Sequence, residues 1–256
     1  VDLYSFPPIA AALDAAHSVI TWLIAALTPF AAGAAPTLSI VLLTVVIRSL
    51  LLPASVAAFR GDLERRRLAP RIAELRTRYS KNPEMLQRKT MELYARERVS
   101  PFAGILPLLI QLPVLSLVYG LFVLPTINGH ANGLLAETFA GVPLSSSFVG
   151  LVGGGSDPLH LAVVGSLLAL IALVVWLSRR YAAPIAPQPD VASPGLGAIT
   201  RVLGFLPFVT VVFAAVVPLA ATVYLATTTT WTFVERQVMR RALDPNRRMR
   251  GSESTA

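Results

Sequence analysis

Cysteine is absent from the 256 residues. That excludes disulfides, thiol catalysis and thiolate-bound metal, and leaves the redox compartment open. Charge is scarce: 14% of residues are charged and 54% are hydrophobic, where a soluble domain carries about 25% charge. The alternating ten-residue segments of a transmembrane β-barrel are missing. The long apolar runs therefore read as helices, and the fold class as an all-α polytopic membrane protein. His130 and His160 stand far apart without ligand spacing, so no metal site is expected. No nucleotide-binding motif occurs, so neither a cofactor nor ATP use is indicated.

Basic residues are missing from most of the chain, and their distribution sets the topology. Of the 22 Lys and Arg, none lies in residues 1–47 and none between Arg98 and Arg179. Twelve fall in residues 60–98; Arg179, Arg180 and Arg201 form a second group, and six more follow Val234. By the positive-inside rule, residues 60–98, the loop after Arg179 and the C-terminus are cytoplasmic. The N-terminus and the loop 126–158 are then outside. Every basic residue obeys this arrangement except Arg48.

Arg48 lies in the middle of residues 36–59, PTLSIVLLTVVIRSLLLPASVAAF, the first certain span. A charge at the centre of a bilayer costs about 2.5–3.5 kcal/mol on insertion scales. On a continuous helix it has about 16 Å to either side, farther than its side chain can snorkel. The other membrane-length runs contain no Asp or Glu except Glu235, at the last edge. Arg48 is therefore expected to face water inside the membrane or to wait for a partner from another molecule. Thr44, one turn earlier, and Ser55, seven residues later, share its face of such a helix. Pro53 is expected to bend the cytoplasmic end.

The rest divides as follows. In residues 1–35, Leu13, Ala16, Ile20, Leu23 and Leu27 recur at helical spacing opposite Asp14, Ser18, Thr21 and Thr28. This predicts an N-terminal amphipathic helix on the outer interface, with one more span or the remnant of a signal anchor as the rival. Residues 60–99 predict an antiparallel helical hairpin projecting into the cytoplasm. Leu68, Ile72, Leu75 and Tyr79 stripe its first helix; Ser80-Lys81-Asn82-Pro83 makes the turn; Leu86, Leu93 and Tyr94 stripe its second. Its basic surface suits anionic lipid, ribosomal RNA or acidic protein, or is simply a solvated linker. Residues 100–125 are a span broken by Pro107 and Pro113 with Gln111 between them. Gln111 either bonds across helices or lines a polar cavity with Arg48. Residues 126–158 are a Gly-, Asn- and Ser-rich outer loop. Asp157-Pro158 opens the span 159–178, and residues 179–198 form a cytoplasmic loop. Residues 199–217 and 218–236 are two closely joined spans, followed by the basic tail 237–256. The last span carries Thr222 and Thr227-Thr228-Thr229-Thr230. Their hydroxyls either bond back to carbonyls one turn earlier or face the same polar groove as Arg48.

With these residues in view, the chain resembles the YidC-type membrane protein insertases along almost its whole length. The likeness rests on Ile47-Arg48 through Pro53; on Leu68-Ala69-Pro70-Arg71-Ile72, Tyr79 and Met91-Glu92-Leu93-Tyr94 in the hairpin; and on Val99-Ser100-Pro101-Phe102-Ala103-Gly104-Ile105-Leu106-Pro107 continuing to Gln111-Leu112-Pro113. Asp157-Pro158 and Pro218-Leu219-Ala220-Ala221 with Tyr224 complete it. Ser100 stands where the family often has Asn, Leu225 where it often has Trp or Tyr, and Thr228 and Thr229 where it often has Asn. Without a large extracytoplasmic domain, the chain looks like the short form found in Gram-positive lineages.

The resemblance implies a five-helix core around a hydrophilic groove, open to cytoplasm and lipid, in the bacterial plasma membrane. Arg48 would be the groove charge, with Thr44, Gln111, Thr222 and Thr227 around it. The hairpin residues Arg71, Arg76, Arg78, Tyr79, Met91 and Tyr94 would receive nascent membrane proteins. The implied role is a non-enzymatic insertase and chaperone that passes helices into the lipid bilayer, alone or with the Sec translocon, and contacts the ribosome. Two rivals come from other classes. A small anion transporter would need solute flux that depends on Arg48, and the spans show no inverted repeat. An intramembrane protease would need Ser166 and His160 on separate elements, and they share one span.

Overall fold

The computed structural model describes residues 7–97, 99, 116–127, 129–181 and 206–243. It is mostly helical. Two compact units emerge: a larger one of residues 1–50, 113–180 and 205–256, and a smaller one of residues 51–112 and 181–204.

In the larger unit, α1 (Pro7–Ala31) meets α2 (Ala35–Leu50) through a 3-10 turn, Ala32–Ala34. Ala32 takes φ of 38° there, a left-handed conformation that alanine rarely adopts. The two helices lie against one another. Leu13 and Ile20 are buried in the same core cluster as Ile40 and Leu43, with Ala16, Leu23 and Ile24 packed on it. The apolar stripe of α1 is thus its covered face, and Asp14, Ser18, Thr21 and Thr28 are exposed. The exposed side is not purely polar, since Val19, Trp22 and Phe30 also lie there.

The outer loop is folded. After helical residues 116–122, strands β1 (Thr126–Ile127) and β2 (His130–Ala131) pair antiparallel, as do β3 (Thr138–Phe139) and β4 (Val142–Pro143). Gly129 and Gly141 supply the positive φ, 84° and 82°, that these tight turns need. Asn132 closes the loop from within: its amide donates to the carbonyls of Leu121 and Leu124 at 2.9 and 3.0 Å. A short α5 (Phe148–Gly153) follows, capped by Ser147, whose hydroxyl accepts from the Gly150 N–H.

α6 (Pro158–Tyr181) starts where Asp157-Pro158 predicts. The Asp157 carboxylate accepts from the Leu159 N–H at 2.8 Å, meeting one of the orphan donors of a helix start. α7 (Leu206–Val216) and α8 (Leu219–Leu243) join at Val217-Pro218. The first N–H groups of α8 have no partners within their own helix. The folded loop supplies them: Leu219 N–H donates to the Ser146 carbonyl at 2.7 Å and Ala220 N–H to Leu144 at 3.1 Å. Ile171, Val175, Ala214 and Ala226 form the small core that holds α6, α7 and α8 together.

The smaller unit holds α3 (Leu52–Arg78) and α4 (Pro83–Arg96). They pack as the predicted hairpin, with Leu68 buried and Ile72, Leu75, Leu86, Leu93 and Tyr94 half-buried. Pro83 sits in the first turn of α4, and Asn82 caps it by accepting from the Met85 N–H at 3.0 Å.

Three boundaries differ from expectation. The helix of residues 36–59 stops at Leu50, and α3 then runs unbroken from Leu52 to Arg78, so residues 59 and 60 are not a helix boundary. Pro53 is the physical reason: it has no N–H for the Ser49 carbonyl and crowds the turn before it. Arg48 therefore stands in the last turn of α2, and the face it was expected to share with Ser55 does not carry across the break. The last helix reaches Leu243, seven residues beyond 236, with Arg240 and Arg241 in a last turn whose carbonyl dipoles favour cations. The start of the fourth expected span, most of the second and the tail after Leu243 lie outside the described residues. Of the described helical stretches, Pro7–Leu50 and Pro158–Tyr181 are long and apolar enough to cross a membrane.

Candidate functional site: the Arg48 seam

α2 packs against α8 as well as α1. Thr37, Ser39, Ile40, Leu43 and Thr44 are buried along α2, and Arg48 at its end is half-buried. The Arg48 guanidinium donates from Nη2 to the hydroxyl of Thr228 on α8. Among the described residues, no carboxylate pairs with it, whereas the hairpin holds the ion pairs Arg71–Glu97, Arg88–Glu92 and Lys89–Glu92.

Two features compensate a charge so placed. A hydrogen bond to a charged group contributes about 1.5–3 kcal/mol. The end of a helix presents unsatisfied carbonyls, whose partial negative charge is worth about 0.3–2 kcal/mol to a cation. Together they are of the size of the roughly 2.5–3.5 kcal/mol that a mid-bilayer arginine costs. Pro53 adds to the second by leaving the Ser49 carbonyl without its usual donor.

The threonine run sorts by hydroxyl. Thr227 donates to the Val223 carbonyl at 2.9 Å, Thr229 to Leu225 at 2.7 Å and Thr230 to Ala226 at 2.7 Å. These three bond back within their own helix. Thr228 is the one whose oxygen meets Arg48. Tyr224, Thr228, Trp231 and Glu235 follow at spacings of four, three and four, so they share one face of α8. Tyr224 packs its ring on Phe122, centroids 5.9 Å apart. Further along, Trp231 Nε1 and Glu235 Oε1 are buried without a hydrogen-bond partner among the described residues.

The site residues expected from the sequence fall in different places. Thr44 is buried beside the seam, but its hydroxyl donates to the Ile40 carbonyl at 2.7 Å. Thr222 is fully buried and donates to the Ala214 carbonyl at 2.9 Å, so it ties α8 to α7 and has no hydroxyl to offer a groove. Thr227 is half-buried and bonded to its own helix. Gln111 lies outside the described residues. In the hairpin, Arg71 is paired with Glu97, Arg76, Arg78 and Met91 are exposed, and Tyr79 and Tyr94 are half-buried. The Arg78 guanidinium lies 5.9 Å over the Tyr79 ring. Sequence reasoning left the threonine run open between back-bonding and the Arg48 groove; it did not single out Thr228, and it noted Glu235 only as a carboxylate at the last edge and Trp231 only as the residue that ends the run. The available signal was the four-three-four spacing from Tyr224, together with the position where the resembling family often has Asn.

The family model described as 60Kd inner membrane protein matches residues 30–246. A relative from Zymomonas mobilis, named membrane protein insertase YidC, is 30% identical over 187 residues, covering 72% of this chain and 30% of the relative. Relatives with the same name from Clostridium perfringens and Fusobacterium nucleatum are 39% and 30% identical, over 39% and 50% of this chain. The chain spans 42% and 55% of those two relatives.

Proposed function

The chain belongs to the 60Kd inner membrane protein family, the YidC-type insertases, and from that premise we propose that it inserts nascent membrane proteins into the bacterial inner membrane. It works without bond chemistry. Five spans, with the N-terminus outside and the C-terminus in the cytoplasm, enclose a hydrophilic groove around Arg48. An acidic, short outer tail of a substrate is drawn to that charge, and the substrate's apolar helix then slides into lipid. Apolar burial at about 25 cal/mol per Å² and the membrane potential acting on the negative tail drive the transfer. The basic hairpin receives the substrate, with the Sec translocon and the ribosome as partners of the cytoplasmic face.

The observation that supports this best is the hydrogen bond from Arg48 to a neutral hydroxyl, Thr228, with no carboxylate paired to it among the described residues. A guanidinium with a formal counter-ion would be neutralised; one held by a hydroxyl keeps its net charge for an incoming anion. The unpartnered Trp231 and Glu235 polar atoms on the same helix face suit a groove in which water or substrate polar groups complete the bonding.

The test is reconstitution of the full chain in liposomes without Sec components, with a single-span substrate carrying a short acidic N-terminal tail. Intact chain should protect the tail from external protease where empty liposomes do not, and Arg48→Ala should lower protection by tenfold or more, the equivalent of about 1.4 kcal/mol. Equal protection by the variant would remove the charge from the mechanism. No protection above empty liposomes would end the case for independent insertion.

A further inference from the structure

At the end of α6 the chain sets two arginines against two aromatic rings. The Arg180 guanidinium lies 5.4 Å over the Trp176 ring, and that of Arg179 lies 5.6 Å over Phe208, in the first turn of α7. These four residues line an open pocket of about 470 Å³. Behind it, Ile171, Val175 and Ala214 close the α6–α7 contact. Along each helix next to this mouth stand exposed apolar side chains: Leu173 and Trp176 are 52% and 48% exposed on α6, and Val209 and Val212 are 57% and 67% exposed on α7. A cationic mouth therefore adjoins apolar surface on both helices.

We propose that this pocket binds the headgroup phosphate of an anionic glycerophospholipid, with its acyl chains against the exposed apolar side chains beside the mouth. The proposal rests on the membrane placement of the chain but not on the insertase activity. Guanidinium forks match phosphate oxygens in two-point geometry, and stacking on a ring orients the fork while leaving its donors in the plane of the group. Tryptophan near the end of a span occupies the headgroup level. The basic end of α6 is the cytoplasmic end by the charge distribution, and that leaflet carries the anionic lipid. A soluble phosphate would use the mouth and ignore the apolar surface beside it. A phospholipid uses both, and that surface, with the cytoplasmic-leaflet charge, commits the site to lipid.

The experiment follows the tryptophan. The full chain with Trp22→Phe and Trp231→Phe retains Trp176 as its fluorophore and is placed in phosphatidylcholine vesicles. Phosphatidylglycerol brominated on its acyl chains should quench Trp176 at a mole fraction about five- to twentyfold lower than brominated phosphatidylcholine, since each basic residue near an anionic surface contributes about fivefold. Arg179→Gln with Arg180→Gln should erase that preference; both side chains are exposed, so the fold survives their change. Arg76→Gln with Arg78→Gln, which removes the same charge from the hairpin, should leave the preference standing. Four results would overturn the site: equal quenching by the two lipids, a preference that survives the α6 changes, a preference lost equally in the hairpin control, or relief of quenching by inorganic phosphate.

Discussion

Two arginines of this chain make opposite bargains with their surroundings. Arg71, on the hairpin, pairs with Glu97, and the two side chains are 59% and 31% exposed. Arg48, among apolar helices, meets the hydroxyl of Thr228 and no carboxylate among the described residues. In water a full ion pair is worth little, because solvent screens both charges and two long side chains must be ordered. Beside half-buried Arg48, where water is scarcer, a single hydroxyl counts for more, because fewer other partners compete for the guanidinium. The stronger-looking contact is therefore the weaker one, and the sparse contact is the one on which function is expected to turn.

The sharpest way to break this comparison is Thr228→Val, which keeps the shape and removes the acceptor. Loss of a hydrogen bond to a charged group costs about 1.5–3 kcal/mol, so insertion of the acidic-tailed substrate should fall about ten- to hundredfold. Thr227→Val and Thr230→Val remove hydroxyls that bond only to the carbonyls of Val223 and Ala226. Those variants should stay within about twofold, since such back-bonding slightly destabilises a helix if anything. If the three valine variants lose activity alike, Thr228 has no special place and the seam is an ordinary helix contact.

The hairpin should respond far less. Glu97→Gln leaves Arg71 in open solvent and should lower stability by less than about 1 kcal/mol, read as the shift in the thermal midpoint of the purified chain. Raising the salt to about 1 M should shrink even that difference, because the Debye length then falls to about 3 Å, the scale of an exposed contact pair. The Thr228→Val effect should change little with salt. A large, salt-insensitive loss with Glu97→Gln would mean that the hairpin pair is shielded from solvent, and the contrast between the two arginines would collapse.

Much of this was legible from local patterns. The α1 stripe, the hairpin turn at Ser80 to Pro83 and the α6 start at Asp157-Pro158 depend on spacing and capping, which act over a few residues. Arg48 stood out because a charge in an apolar run is conspicuous without any structure. Its acceptor was not legible, because Arg48 and Thr228 are 180 positions apart and four consecutive threonines look alike until a neighbouring helix selects one. The position of Arg48 at a helix end was missed because Pro53 was read as bending a helix that it interrupts. The folded outer loop was missed for a related reason. Its glycines, asparagines and serines mark a loop, whereas Asn132 ties it to the preceding helical segment and the carbonyls of Leu144 and Ser146 are bonded to the start of α8, far along the chain.

The smallest effect expected is a titration on the hairpin. Glu92 accepts from the Lys89 ammonium at 2.6 Å and lies 3.7 Å from the Arg88 guanidinium. The hydrogen bond to Lys89 holds the Glu92 carboxyl below its usual value; partial burial opposes it, and the nearby charges of Lys89 and then Arg88 add to the lowering. A carboxyl whose value is lowered by folding adds stability above its unfolded value. That stability is lost as the pH falls through the folded one. The window therefore lies on the acid side of ordinary carboxylate titration, and at neutral pH the contribution is constant. Carbon NMR of the full chain labelled at glutamate should place the Glu92 midpoint below that of the same residue in a Lys89→Met variant, and Arg88→Gln should raise it by less. A midpoint unchanged by Lys89→Met would show that this exposed pair is not populated in solution. The hairpin would then hold its helices by the Leu68 stripe, the Asn82 cap and the Arg71–Glu97 pair, with nothing from Glu92, which would widen rather than close the gap between its charges and the one at Arg48.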